Sequence, residues 1–422
     1  MSKRPLSPEA AAVVAMARSG MARRVGGAAS VGLSRRRLLQ VAGITGVAAT
    51  AAACGAGSGG GGTASSGGAP APAPVQDLSD TEKFVNWANW PLYIDVDDAT
   101  GAYPTLEAFT AATGITVNYT EDVNDNNEFF AKVRAQLESG QSIDRDIVVL
   151  TDWMAALWIQ SGYAAKLDKA AMPNAANLLP NYVDVSFDPG REYSLPWFSG
   201  FGCFGWNKAL LQEALGTDTL TSLSQLWDPK LKGRITLLSE MRDTMGIIMA
   251  AQGADPSNFT DDQFQAAIAE LQAQIDSGQV RQVAGNDYVA ALETGDVIAV
   301  IGWSGDMFQL GDDFGVGLPD TGGMLWTDNM LVPSVATHKK NAETVMNYYY
   351  DPKVAAEVAA YVQYVSPVKG AKEAMADIDP ALVDNQWIFP SEATLGNSYV
   401  FMTLTPEQDV AYQREFQKAI GM

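Results

Sequence analysis

From Phe84 onward the chain alternates short apolar runs with segments of helical spacing, and this alternation restricts the fold more than any other feature. Phe84–Trp87 reads as a strand. Pro104–Thr113 reads as a helix, with Pro in its first turn, Leu106 and Phe109 on one face and Gly114 as its stop. Ile115–Tyr119 is a β-branched and aromatic strand, Asn127–Ser139 an amphipathic helix, Ile147–Leu150 a buried strand and Trp153–Gln160 a helix. A second set follows, with strands at 203–206, 234–238 and 297–301 and helices at 208–215, 243–252 and 261–277. Helices dominate 341–363 and 407–420. Strands separated by crossover helices run largely parallel and are covered on both faces, so the fold class is an α/β sandwich. The 422 residues allow two or three domains. With 47% hydrophobic and 18% charged residues, the chain can build a core.

The first 53 residues read differently. Their bases end in Ser34-Arg35-Arg36-Arg37-Leu38-Leu39, followed by a weakly apolar run to Thr50 and then Ala51-Ala52-Ala53-Cys54. A basic region, a short apolar stretch and small residues before a cleavage site describe a signal peptide. The run is too short and too rich in Gly and Ala to span a bilayer stably. The arginines resemble a twin-arginine signal. The residues before Cys54 resemble a lipobox, whose cysteine is acylated, although Ala51 stands where a larger aliphatic residue is usual. Residues 55–77 are mostly Gly, Ser, Ala and Pro, the composition of a flexible tether. The expectation is a signal over 1–53, a lipidated tether over 54–80 and a globular body held at the outer face of a membrane through a lipid anchor only. Cys203 is then left as the other thiol, without an intrachain disulfide.

Charge narrows the partners. The chain has 28 bases and 49 acids, a net of −21. Eight of the bases and one acid lie in the leader, so the remainder carries 20 bases against 48 acids and a net of −28. Such a field repels phosphates, so nucleic acid is not expected, and it favours organic cations. Acidity alone would also keep an exported protein in solution. One histidine and two cysteines argue against zinc sites and a disulfide framework.

Several motif matches fail on context. Gly200-Phe-Gly202-Cys-Phe-Gly205 fits a dinucleotide fingerprint, but its glycines alternate with aromatics and Pro196-Trp197-Phe198 precedes it, which fits a Gly-rich strand passing between lobes better. Asp122–Asn127 opens like a calcium loop but lacks the sixth-place Gly, and Val133 stands where the bidentate Glu belongs. Tyr348-Tyr349-Tyr350 lies in a helical pattern, and His338, beside Lys339 and Lys340, reads as a solvated loop residue. There is no nucleophile elbow and no H-E-x-x-H.

What remains is aromatic and acidic. Trp90 and Tyr93 follow the first strand; Thr151, Asp152 and Trp153 follow the strand ending at Leu150; Glu240 and Asp243 follow the strand ending near Leu238; Trp303 follows Ile301; Trp326 and Asp328 bracket a further loop. In open α/β sheets ligands bind beyond the carboxyl ends of strands. Rings that pack on methylenes, with carboxylates spaced between them, suit an aliphatic chain carrying ammonium groups.

From about residue 82 to 422 the chain resembles the bacterial solute-binding proteins of the spermidine/putrescine type, the capture components of ABC importers. The resemblance rests on N-W-x-x-Y at Asn89–Tyr93, E-A-F-T-x-x-T-G-I-x-V at Glu107–Val117, D-I-V-V-x-T at Asp146–Thr151, Y-S-L-P-W at Tyr193–Trp197, G-G-x-x-W-x-D at Gly322–Asp328 and Y-V-S-P at Tyr364–Pro367. It implies a type II periplasmic-binding fold, two α/β lobes with the ligand between them: 81–202 with 326–372, and 203–325 with 373–422. Crossings between lobes are expected near Gly200–Gly205, Gly322–Thr327 and residues 371–376. It further implies ring positions at Trp90, Tyr93, Trp153, Trp303, Trp326 and Tyr364, acidic positions at Glu240, Asp243 and Asp328, and a small hydroxyl at Thr151. Pro91 stands where the family often has a hydroxyl, Met402 falls near a ligand-contacting Gln position, and Glu240 and Asp243 exchange Asp and Glu; Asp152 is an added acid.

The function expected is capture of a polyamine and delivery to an ABC permease, by a monomer, without catalysis, cofactor or metal. The alternatives are a protein of the same fold for an oligosaccharide or amino-acid-like cation, and a secreted hydrolase or lyase using carboxylate pairs.

Overall fold

A computed structural model describes residues 75–421 of the protein. The signal, Cys54 and the tether as far as residue 74 lie outside the described residues. Three strands open the body: β1 (Phe84–Asn89), β2 (Thr116–Glu121) and β3 (Ile147–Thr151). They are parallel, with β1 between the other two. Helix α1 (Pro104–Thr113) carries Pro at its start and ends at Gly114, whose φ of 73° lets its N–H return to the carbonyl of Thr110. Helix α2 (Asn126–Glu138) is capped by the Asp125 carboxylate, which accepts from the backbone of Asn127 and Glu128. It buries Phe129, Val133 and Leu137, spaced four residues apart. Helix α3 (Asp152–Gln160) starts directly after β3.

The long strand β4 (Ser194–Asn207) is buried throughout except at its last residue. It is much longer than the expected 203–206. The Pro196, Gly200, Gly202 and Gly205 positions interrupt strand propensity in the sequence, and burial on both faces removes the alternation that marks a half-exposed strand. Beyond it come α4 (Lys208–Leu215), β5 (Ile235–Leu238), α5 (Met241–Ala251), α6 (Asp261–Asp276), β6 (Val280–Ala284), α7 (Tyr288–Glu293), β7 (Ala299–Trp303), α8 (Ser304–Leu310), β8 (Phe314–Gly317) and β9 (Gly323–Leu331). Strands β5, β6 and β7 form a second parallel set. The ten-stranded sheet runs β2-β1-β3-β9-β4-β7-β5-β6, with β8 also paired to β4. Two parallel halves are therefore joined by two long antiparallel strands, β4 and β9. This is the type II periplasmic-binding arrangement of two α/β lobes.

Three expectations need correction. Trp326 and Asp328 do not bracket a loop; both belong to β9, whose pairing with β4 shifts register between Thr327 and Asn329. Residues 371–376 are not a crossing. They lie in helix Ala371–Ile378, which buries Ala371 and Met375 and packs against helix Pro352–Val362. The return to the second half runs later, through the segment before Ser398–Tyr399, which pairs with the start of β9. His338 is buried, not solvated: Asp146 lies 3.2 Å from its Nδ1, Glu82 lies 2.9 Å from its Nε2, and the Phe84 ring packs on it. Its partners are 192 and 256 residues away in the chain, so its lysine neighbours carry no hint of them.

The C-terminal helix, Pro406–Ala419, begins with a reciprocal cap between Thr405 and Gln408 and packs on α6, where Tyr412 stacks on Phe264 at 4.0 Å. Cys203 is buried in β4, and desolvation pushes its thiol well above the usual range. Tyr349 and Tyr350 are core residues, the latter donating to the carbonyl of Pro196 at 2.7 Å.

Candidate functional site

The carboxyl ends of β1, β3, β5 and β7 converge on a cavity of about 530 Å³. All ten ligand positions expected from sequence line it: Trp90, Tyr93, Thr151, Trp153, Glu240, Asp243, Trp303, Trp326, Asp328 and Tyr364. Their placement follows from strand ends. Trp90 is the first residue after β1, Thr151 ends β3, Glu240 is two residues past β5, and Trp303 ends β7 rather than following it.

The rings form a connected wall. Trp90 meets Trp303 edge-on at 5.6 Å, Trp303 meets Trp326 at 6.4 Å, Trp326 meets Tyr364 at 5.4 Å, and Tyr364 meets Tyr93 at 5.1 Å. Glycine makes part of this wall possible. A Cβ on Gly200 would lie 2.5 Å from the Trp326 ring and 2.7 Å from the Tyr364 ring. The glycine-rich run thus admits side chains from neighbouring elements, and it holds no nucleotide phosphate loop because a strand, not a helix N-terminus, carries it.

Each carboxylate is held by a particular donor. Asp328 accepts the Thr151 hydroxyl at 2.7 Å, and Thr151 in turn accepts from Asn126 at 2.9 Å. Asp243 accepts the Trp303 indole N–H at 2.9 Å. Glu240 caps α5 through the Arg242 N–H and accepts the Trp153 indole N–H at 3.2 Å. The Tyr93 hydroxyl is buried without a hydrogen bond in ordinary geometry, and burial together with the charge of Asp328 raises its pKa well above the usual range.

Sequence reasoning missed several lining residues. Asp306, in the first turn of α8, accepts from Asn286 at 3.1 Å, Tyr288 at 2.7 Å and Tyr364 at 2.8 Å. The same signal that exposed Glu240 and Asp243 was present there, an acid just past a strand-ending tryptophan. Arg242 is another such residue; its guanidinium lies 4.2 Å over the Trp153 ring and 2.7 Å from Asp409. Asp152, the added acid noted in the sequence, also lines the cavity and accepts from Asn329 at 2.7 Å. Met402 and its neighbours from Val400 to Leu404 close another side.

Burial dominates the electrostatics. It pushes Asp328 up to about 7, against the pull of the Thr151 hydroxyl, and Asp152 and Asp306 up to about 6. Asp243 is raised well above the usual carboxylate range by burial and then by Glu240. Glu240 is raised by burial, opposed by Arg242. Six lining carboxylates face one lining guanidinium, so the cavity favours a cationic occupant.

A family model of bacterial extracellular solute-binding proteins matches residues 105–388. The chain belongs to that family. This solute-binding protein is 26% identical over 322 residues to the spermidine/putrescine-binding periplasmic protein of Escherichia coli, covering 76% of this chain and 86% of that one. It is 28% identical over 354 residues to the putrescine-binding periplasmic protein SpuD of Pseudomonas aeruginosa, covering 80% and 91%. Among solved structures, a Listeria monocytogenes protein described as a spermidine/putrescine ABC transporter matches with a TM-score of 0.68 at 25% identity, over 80% of this chain and 99% of that one. The cavity of this solute-binding protein thus lies between the two halves of a binding-protein fold, with both halves supplying its walls.

Proposed function

We propose that the protein captures a polyamine, putrescine or spermidine, between its lobes and delivers it to the permease of an ABC importer. The lobes in this reading are built around 81–202 with 326–372, and around 203–325, with the chain returning to the second lobe after the helix Ala371–Ile378. The ligand contacts are the ten residues from Trp90 to Tyr364 named above. The observation that carries the proposal is the composition of the cavity: six carboxylates, four of them with a tryptophan or tyrosine ring hydrogen-bonded to them or beside them, against one guanidinium. Aromatic faces contribute cation–π attraction of about 1–2 kcal/mol each where water is excluded. Carboxylates add charge-assisted hydrogen bonds of about 1.5–3 kcal/mol each. An uncharged sugar would use the rings but leave the acids unmatched. The names of the two curated relatives point the same way. Ligand that touches both lobes selects their closed arrangement, which the permease then reads.

Thermal-shift screening with putrescine, spermidine, cadaverine, maltose and ferric citrate tests this, because a ligand that binds only the folded state raises the melting temperature. A shift with maltose or ferric citrate and none with any polyamine overturns it.

The protein acts, in this proposal, as a monomer anchored by an acylated Cys54 to the outer face of the cytoplasmic membrane. Cys54→Ala should move it from the membrane fraction to the soluble fraction with ligand binding unchanged. Retention of that variant in the membrane fraction contradicts the anchor.

A further inference from the structure

One corner of the cavity is a cation cage that the protein fills with its own side chain. The Arg242 guanidinium lies 4.2 Å from the centre of the Trp153 ring and 5.8 Å from that of Phe401. Asp409 is 2.7 Å from its Nη2, and Glu240 is 3.7 Å from its Nη1. All five residues line the cavity. Two aromatic faces and two carboxylates around one positive charge are the surroundings that an alkylammonium group needs.

The other acids differ in how fully they are engaged. Asp306 receives three donors, from Asn286, Tyr288 and Tyr364. Asp152 is tied to Asn329, whose carbonyl accepts from the buried Arg191 at 2.8 Å. Asp243 accepts one side-chain bond through Oδ2 and Asp328 one through Oδ1. Beyond these, Asp243 has no side-chain hydrogen-bond partner among the described residues, and Asp328 has the Tyr93 hydroxyl close by. These two carboxylates keep acceptor capacity for ammonium groups, while Glu240 and Asp409 share the single charge of Arg242.

We infer that Arg242 is a resident substitute for one ammonium group, and that it sets the cavity to prefer linear diamines over triamines. The inference rests on the polyamine reading of the cavity. A diamine reaches Asp243 and Asp328 and leaves Arg242 undisturbed. A triamine long enough to occupy the same two acids brings its third charge toward the guanidinium, where like charges shielded from water repel. The discrimination comes from a repulsive group, not from an added contact.

Calorimetric titration of the wild-type protein and of Arg242→Gln, Arg242→Lys and Asp409→Asn with putrescine and spermidine tests it, with circular dichroism to check folding. Wild type should bind putrescine at least about tenfold more tightly than spermidine. Arg242→Gln should move the spermidine-to-putrescine affinity ratio toward spermidine by about tenfold or more. Arg242→Lys, which keeps the charge, should keep the wild-type ratio. Asp409→Asn removes the outer counter-charge and should move the ratio further toward putrescine; with the wild-type ratio it carries the test if Arg242→Gln does not fold. Binding of both polyamines with the same ratio in every folded variant, or a wild-type preference for spermidine, overturns the inference and leaves the polyamine reading standing. Binding of neither polyamine by the wild type overturns both.

Discussion

Thr151 and Asp328 stand directly opposite each other in the antiparallel pairing of β3 with β9, and the threonine hydroxyl donates to the aspartate at 2.7 Å. Asp328 sits where the pairing of β9 with β4 shifts register, so the irregularity that joins the two halves of the sheet also aims a carboxylate at the cavity.

Removing that charge should separate charged from uncharged ligands. Asp328→Asn is expected to weaken polyamine binding by about 2–4 kcal/mol, because the amide accepts more weakly and its N–H groups face the cation. An uncharged ligand should lose far less. Calorimetry with putrescine and spermidine decides it, and equal affinity in wild type and variant would make Asp328 a structural acid only.

The rings divide by burial. Trp303 is only 9% exposed and its indole holds Asp243, so Trp303→Ala should lower both affinity and the ligand-free melting temperature. Trp326 is half-buried with no hydrogen bond from its indole, so Trp326→Ala should act mainly on affinity, by about 2–4 kcal/mol. Both quantities must be measured for both variants. Unchanged affinity with a lower melting temperature in each would mean that the rings serve the core.

The acidic and aromatic wall was legible because strand ends announce themselves: a short apolar run stops and a polar or aromatic residue follows, as at Leu150-Thr151 and Leu238-Ser239-Glu240. Helices α1, α4 and α6 were legible for a similar reason, since Pro104, Gly114, Gly216 and the Thr260–Gln263 cap punctuate them locally. Strand β9 was not, because Asp328 and Asn329 are buried polar residues in its middle, and their partners Thr151, Asp152 and Arg191 come from other parts of the chain. Arg242 stands between the acids Glu240 and Asp243, and its surroundings depend on Asp409, 167 residues away. Asp306 was less legible because its partners Asn286, Tyr288 and Tyr364 come from other parts of the chain.

Gly200 provides a test that leaves every polar group in place. The Cβ of Gly200→Ala would displace the Trp326 and Tyr364 rings into the space a ligand needs. Overpacking of this kind costs about 1–3 kcal/mol. The expected result is weaker polyamine binding with retained secondary structure. Wild-type affinity in Gly200→Ala would show that these rings can move without consequence for the ligand.

The raised carboxylates make both binding and stability depend on pH, in opposite senses. An ammonium group binds the ionised acid, and Asp328 titrates near 7 with Asp152 and Asp306 near 6. Polyamine affinity should therefore fall by about tenfold between pH 7.5 and pH 6, since each linked proton below its pKa costs about 1.4 kcal/mol per pH unit. Binding near pH 7 should release protons, visible as a binding enthalpy that varies with the ionisation enthalpy of the buffer. For the ligand-free fold the sign reverses. An acid whose pKa is raised on folding binds protons more tightly in the folded state, so its contribution is complete below about pH 4, the unfolded value, and is lost as pH rises through 6 to 7. The empty protein should melt higher at pH 5 than at pH 8, and a fixed excess of putrescine should raise the melting temperature more at pH 8 than at pH 5. Asp328→Asn removes one of the titrating groups and should flatten both dependences. A ligand-free melting temperature that rises from pH 5 to pH 8, or a polyamine affinity that is level across that range, would mean that these acids are already ionised in the folded protein.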